Sequence, residues 1–187
     1  MKALLLAAGK GERFYPFNTY RAKPMFPVCN RPLLAWLVDR VVSAGLDEIG
    51  IVVGWQDGSV RSYFGDGSRF GCSITYIDQP EPTGTADAVT RSRTFIGQDP
   101  VLVVLGDLHV PSDAIPTVVE AYEKHGQAGV AATVGVDNIS EHTRATVDAQ
   151  GLLSDYVCKE AKPGRRWPGS TRYPAGSSPT SPTYRTC

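Results

Sequence analysis

The run Lys2-Ala3-Leu4-Leu5-Leu6-Ala7, apolar after its first residue and cut off at Gly9, does most to limit the folds open to this chain. A continuous apolar stretch bounded by glycine has the pattern of a strand covered on both faces, where no alternation with polar residues is needed. Such a strand belongs in the middle of a sheet with helices above and below it. The run is also shorter than the ~7–15 apolar residues of a secretion signal. Gly9-Lys10-Gly11-Glu12-Arg13 follows it directly, which favours a buried first strand.

The rest of the chain alternates in the same sense. A loop rich in Gly, Pro and basic residues extends from Ala8 to Arg31, after which Pro32 suits the first turn of a helix. Leu33, Leu34, Trp36, Leu37, Val41 and Val42 recur at helical spacing, and Gly45 is placed to stop that helix. Ile49 to Val53 and Ser73 to Ile77 read as strands, with a short helix from Ser59 to Phe64 between them. Thr85 to Ile96 is expected to be one helix, and Val101 to Leu105 is the second strongly apolar strand. Ser112-Asp113 can cap a helix reaching Lys124, with Pro116 tolerated only in its first turn. Strands are expected at Val130 to Val136, Ala145 to Asp148 and Leu152 to Val157, the last two joined as a hairpin around Gln150-Gly151. Repeated βα units of this length predict an α/β fold, Rossmann-like, with a mostly parallel sheet and helices on both faces.

Composition narrows the function classes. The 187 residues carry 19 basic and 19 acidic side chains, a formal charge of zero, and no Lys/Arg-rich block. That argues against nucleic acid or an anionic membrane as the main partner, so any bound anion must be met locally. Cys29, Cys72, Cys158 and Cys187 form neither a CxxC pair nor a disulfide-dense pattern, which fits a reduced, cytoplasmic protein. From about Gly164 the chain becomes rich in Pro, Ser, Thr, Gly and Arg without apolar periodicity, so 164–187 is expected to be a disordered or non-native tail.

Three segments carry chemistry. In the first, Gly9-Lys10-Gly11 follows the first strand, where small residues let backbone N–H groups approach a phosphate, although a tight turn would use the same glycines. The dinucleotide-binding pattern GxGxxG fails here, because Phe14 occupies the place of its third glycine; that disfavours a dinucleotide-dependent oxidoreductase. Arg13, Arg21 and Lys23 are interleaved with Pro16, Pro24 and Pro27, and cations on a stiffened loop can clamp a triphosphate and offset charge in phosphoryl-type transfer. In the second, Gln79 to Ala88 forms a proline-rigid connection between strand and helix that can present backbone groups and one side-chain amide to a planar ligand. In the third, Asp107 follows Gly106 at the C-terminal end of a strand, where open α/β sheets bind ligands. A carboxylate facing phosphates there suits Mg²⁺, which takes hard oxygen donors. His109 has no second His or Cys at ligand spacing and is read as structural.

The residues Leu5-Leu6-Ala7-Ala8-Gly9-x-Gly11-x-Arg13-x-x-Pro16, Lys23-Pro24-Met25-x-Pro27-Val28 and Pro32-Leu33-Leu34 together resemble the signature of sugar-1-phosphate nucleotidyltransferases, most closely the glucose-1-phosphate thymidylyl- or uridylyltransferase type. Asn18 stands where that pattern usually has Thr, and Ala22 where it usually has Pro. The resemblance implies that the loop containing Ala8, Gly9 and Gly11 wraps the nucleotide phosphates. Arg13 would hold the β- and γ-phosphates, and Lys23 would contact the reacting ones. It further implies that Gln79 and Gly84, with Thr85 beside them, read the base of dTTP or UTP, and that Asp107 binds Mg²⁺. Lys162 in Lys162-Pro163 would meet the sugar phosphate, whereas an alanine separates Glu160 from it.

The resemblance spans about residues 1–163, taken as an incomplete catalytic domain. The partners it implies are a nucleoside triphosphate and a sugar 1-phosphate, joined with release of pyrophosphate, and it is compatible with a homo-oligomer. The alternative is a catalytically impaired nucleotide-binding or regulatory homologue without a complete sugar site.

Overall fold

The computed structural model of the chain describes residues 1–125, 130, 132, 144–147 and 153–157. The chain divides into two units, Met1–Val130 and Ala131–Cys187. The first contains β1 (Lys2–Leu6), β2 (Pro27–Val28), β3 (Arg31–Pro32), α1 (Leu33–Ser43), β4 (Glu48–Val53), α2 (Asp57–Phe64), β5 (Ser73–Asp78), α3 (Thr85–Arg91), α4 (Arg93–Ile96), β6 (Val101–Leu105) and α5 (Ala114–His125). In the second unit, β7 (Arg144–Val147) and β8 (Leu153–Val157) pair antiparallel, as the expected hairpin requires, while Gln150-Gly151 lies outside the described residues. The strand expected from Val130 to Val136 lies largely outside the described residues, as do Glu160, Lys162 and the tail from Gly164 onward.

The main sheet has the order β5-β4-β1-β6, and every pairing in it is parallel. β1 is therefore central, as its apolar run requires: Ala3, Leu4 and Leu5 have no solvent exposure. On one face Ala3, Leu5, Ile49, Ile51 and Val53 meet α1, α2 and α5 through Leu34, Leu37, Val38, Val41, Val60, Phe64 and Ile115. On the other, Leu4 and Val52 meet Ala88 of α3, with Val89, Phe95 and Ile96 packed alongside. Helices thus cover both faces, and the α/β class read from the sequence holds.

Packing rather than propensity fixes α1. A helix of 11 residues is marginal alone. Burying each of Leu34, Leu37, Val38 and Val41 is worth ~1.5–3 kcal/mol, more than the ~0.7 kcal/mol range of ordinary helix propensities. Its end is closed by Gly45 at φ 82°, with Gly45 N–H donating to Val42 O and Leu46 N–H to Val41 O, which satisfies two terminal carbonyls.

Two local expectations are corrected. Pro32 is not inside the helix: it is extended at the N-cap (φ −53°, ψ 139°) and pairs with Pro27 across the β2–β3 hairpin. Cys29 and Asn30, at φ 51° and 60°, form the two-residue turn, and the left-handed pair matches the twist of the flanking strands. The helix expected from Thr85 to Ile96 breaks at Ser92, where ψ is 1°. The fully buried Ser92 hydroxyl donates to Ala88 O at 2.8 Å, so the side chain competes with the helical ladder and splits α3 from α4.

Candidate active site

Parallel pairing brings four chain exits to one edge. Leu6 is level with Val52 of β4 and Leu105 of β6, and Val53 is level with Asp78 of β5. The loops that begin at Ala7, Gly54, Gln79 and Gly106 therefore share the C-terminal edge. β4 and β5 lie on one side of β1 and β6 on the other, so the order reverses between β1 and β6, the crevice where open α/β sheets bind ligands.

The β1 and β6 exits are pressed together. Gly106 N–H donates to Leu6 O at 2.8 Å. A Cβ at Gly106 would lie 2.8 Å from Leu6 O and 3.2 Å from Ala7 Cβ, so only glycine fits. That contact aims the next residue, Asp107, into the edge. Ala8 is buried and lines the neighbouring β4 exit, where a Cβ on Gly54 would come within 3.2 Å of Ala8 Cβ.

The long loop after β1 is anchored by burial. Ala22, Pro24 and Met25 are buried, and a 3-10 turn over Lys23–Met25 is closed by Met25 N–H donating to Ala22 O. With its neighbours fixed, Lys23 extends its side chain across the crevice, and its Nζ donates to Asp107 Oδ2 at 2.6 Å. Both side chains remain about a third exposed or more (40% and 35%), so the pair is reachable from solvent. Gly11, at φ 61°, caps the turn Glu12–Phe14 that carries Arg13, and a Cβ there would meet Lys23 Cβ at 3.2 Å. The glycine loop, Lys23 and Asp107 are thus one contiguous group. Gly9 faces open space, and Arg13 and Arg21 are exposed on the same loop.

The β4 exit braces this loop, a role the sequence reading did not assign. Trp55 Nε1–H donates to Asn18 O (3.3 Å), Gln56 Nε2 to Thr19 O (2.7 Å) and Asn18 Nδ2 to Lys10 O (3.1 Å). Lys10 Nζ stands 5.8 Å from the centre of the Trp55 ring, within cation–π range. Asn18, the departure from Thr noted above, can make its bond because its amide supplies an N–H donor with enough reach. The available signal was positional: Gly54-Trp55-Gln56 leaves a strand parallel to β1.

The fourth exit is organised around Asp87. Gln79 is buried at 5% exposure and its Nε2 donates to Gly84 O (3.0 Å) and Asp87 Oδ2 (2.9 Å). Thr83 Oγ1 (2.6 Å) and Arg91 Nε (2.7 Å) donate to the same carboxylate oxygen. Hydrogen bonds from Thr83, then Gln79 and Arg91, hold the Asp87 carboxyl down to about 2. Gly84 is the N-cap of α3 and Thr85 its first residue. Asp87 was not singled out from the sequence, although it lies within the Gln79 to Ala88 segment.

Among the described residues no group of three or more His, Cys, Asp or Glu could hold a metal on its own, and His109 is exposed. A single accessible carboxylate does fit Mg²⁺, which retains waters and takes most of its remaining ligands from phosphates. Lys162 lies outside the described residues.

The family model describing nucleotidyl transferases matches residues 2–148, a stretch that includes all four exits. The chain belongs to that nucleotidyl transferase family. It is 33% identical over 164 residues to a low-salt glycan biosynthesis nucleotidyltransferase of Haloferax volcanii, covering 87% of this chain and 46% of that protein. With the glucose-1-phosphate thymidylyltransferase of Streptomyces griseus it shares 43% identity over 107 residues, 57% of this chain and 30% of the relative. The chain therefore spans less than half the length of these two family members. The crystal structure of a Bacillus anthracis protein named as a glucose-1-phosphate thymidylyltransferase, in complex with a sucrose, matches with a TM-score of 0.75 at 27% identity, over 86% of this chain and 65% of that one.

Proposed function

We propose that the chain carries the nucleotide-handling part of an enzyme that transfers a nucleotidyl group from dTTP or UTP to a sugar 1-phosphate, glucose 1-phosphate being favoured, and releases pyrophosphate. The observation that carries this reading is the Lys23 to Asp107 contact at 2.6 Å, which joins the glycine loop after β1 to the carboxylate after β6 at the switch point of the sheet. A cation and a carboxylate side by side, both reachable, beside a glycine loop, suit a polyphosphate neutralised from two directions.

In the proposed reaction an oxygen of the sugar 1-phosphate attacks the α-phosphorus in line. The new O–P bond forms as the bond to the α,β-bridging oxygen breaks, and the electron pair leaves with pyrophosphate. Gly9 and Gly11 admit the phosphates to backbone N–H groups, with Ala8 as the wall behind them. Arg13 and Lys23 offset the charge that builds on the leaving group. Asp107 would hold Mg²⁺, which when bound draws phosphate oxygens together and offsets their charge. Gln79, Gly84 and Thr85 face the base, and Lys162 meets the sugar phosphate. The same proposal places the catalytic segment within 1–163 and the protein in the cytoplasm, the latter supported by its scattered cysteines.

The test is a matrix of nucleoside triphosphates and sugar 1-phosphates with Mg²⁺, read by pyrophosphate formation. Turnover is expected with dTTP or UTP, and Lys23→Ala is expected to lower it at least about tenfold, the scale of losing one charge-stabilising group. Wild-type-like turnover in Lys23→Ala removes the clamp role. Binding of nucleotide by calorimetry without turnover for any sugar would instead support the non-catalytic homologue.

A further inference from the structure

We infer that Asp87 is a positioning residue that fixes which end of the Gln79 amide faces the nucleotide base, and so selects bases with a ring N–H, thymine or uracil, over cytosine. The inference rests on the proposed nucleotide site and adds to it the cause of its base preference.

An amide side chain has one end that only donates and one that only accepts, and the two have nearly the same shape. Which end points where must be decided by the neighbours. For Gln79 the neighbours leave no choice. Its two nearest partners, Gly84 O at 3.0 Å and Asp87 Oδ2 at 2.9 Å, are both pure acceptors, the second of them an ionised carboxylate. The amide nitrogen must face them, and it uses both of its hydrogens there. Turning the amide over would set Oε1 against a carbonyl and a negative charge.

Asp87 is itself immobilised. Thr83 Oγ1 at 2.6 Å and Arg91 Nε at 2.7 Å converge on the oxygen that receives Gln79. Arg91 lies one turn further along α3, and Thr83 lies on the loop that Gln79 begins. The loop, the helix and the amide are thereby locked in one arrangement. Gln79 is buried to 5% exposure, so rotamer freedom cannot relieve it.

What remains for a ligand is Oε1, to which no hydrogen bond is made among the described residues. An oxygen can only accept. Thymine and uracil carry N3–H and can donate to it, whereas cytosine has a bare N3 lone pair that would repel it. Sites built around one hydrogen bond reject a partner that cannot make it, because the buried group is left unpaired. The charge on Asp87 thus acts on the base through Gln79 without touching it.

The experiment is calorimetry of the full chain with UTP, CTP and N3-methyl-UTP, for wild type, Asp87→Asn and Asp87→Ser, with thermal unfolding as the folding control. Wild type is expected to bind UTP at least about tenfold more tightly than CTP or N3-methyl-UTP. In folded Asp87→Asn, which removes the negative charge that opposes Oε1 and leaves Gly84 O as the remaining fixed acceptor, the UTP to CTP ratio is expected to fall at least about threefold, with a similar fall in Asp87→Ser. A purely structural role would weaken both nucleotides equally and leave the ratio in place. An unchanged ratio in either folded variant overturns the inference while leaving the nucleotide site intact. N3-methyl-UTP binding to wild type as well as UTP overturns it without reference to any variant. Failure of wild type to bind UTP or dTTP at all overturns the nucleotide site, and the inference with it.

Discussion

Gly106 and Asp107 divide a task that neither could do alone. The glycine lets β6 finish against the backbone of Leu6, and the aspartate, aimed by that contact, reaches Lys23. A methyl group at residue 106 would sit 2.8 Å from Leu6 O, a distance that only a backbone shift can relieve. Gly106→Ala is therefore expected to cost ~1–3 kcal/mol, seen as a lower urea midpoint at unchanged slope. An unaltered midpoint would mean that the two exits are not in contact. The Gly-Asp pair stood out in the sequence because of its place after a strand. Asp87 did not, because its importance lies in three donors that arrive from Gln79, Thr83 and Arg91 and are brought together only by the loop and α3.

At the level of elements, the loop after β1 shows how an irregular segment is held. It has buried anchors at Ala22, Pro24 and Met25, and it leans on the β4 exit through Trp55, Gln56 and Asn18. Trp55→Phe keeps a ring beneath Lys10 but deletes the N–H that reaches Asn18 O. Hydrogen exchange is expected to quicken severalfold at the amides of residues 9–21 of that variant, with little change in overall melting, because the loop opens locally without the core. Identical exchange in the two proteins would show that the brace bears no load. The positions of the main-sheet strands and of the helices on them followed well from apolar pattern, since these elements bury apolar residues in the two layers that cover the sheet. The two misjudged details, Pro32 and Ser92, both turn on single-residue backbone choices. Proline fits an extended N-cap as readily as a first helical turn, and a serine hydroxyl either faces solvent or takes the carbonyl one turn back, according to whether it is buried.

At the scale of the molecule, two carboxylates among the described residues bear on acid stability. Asp87 is held down to about 2, and Asp66 is lowered by hydrogen bonds from the Ser68 backbone and hydroxyl. A carboxyl whose folded value lies below its unfolded value, ~3.9 for Asp, stabilises the fold above that unfolded value. This contribution is lost as pH falls through the folded value. Stability is accordingly expected to be flat from neutral pH to about 4.5 and to drop between about 4 and 2. In Asp87→Asn that drop is expected to shrink, which urea midpoints at several pH values would check. A pH profile identical to wild type would show that Asp87 has no depressed carboxyl in the folded chain.

The central strand, the βα alternation and hence a parallel sheet with both faces covered are legible along the chain, because burial imposes a periodicity that can be read in one dimension. So are the positions of the glycine loop, Lys23, Gln79 and Asp107 after strands. Which of these residues meet is settled only once the chain has folded. The strand order that sets β6 beside β1 brings Lys23 to Asp107 across 84 positions of chain, and the folding of one loop onto α3 turns Asp87 toward Gln79. Contacts of that kind depend on distances through space, which spacing along the chain does not contain.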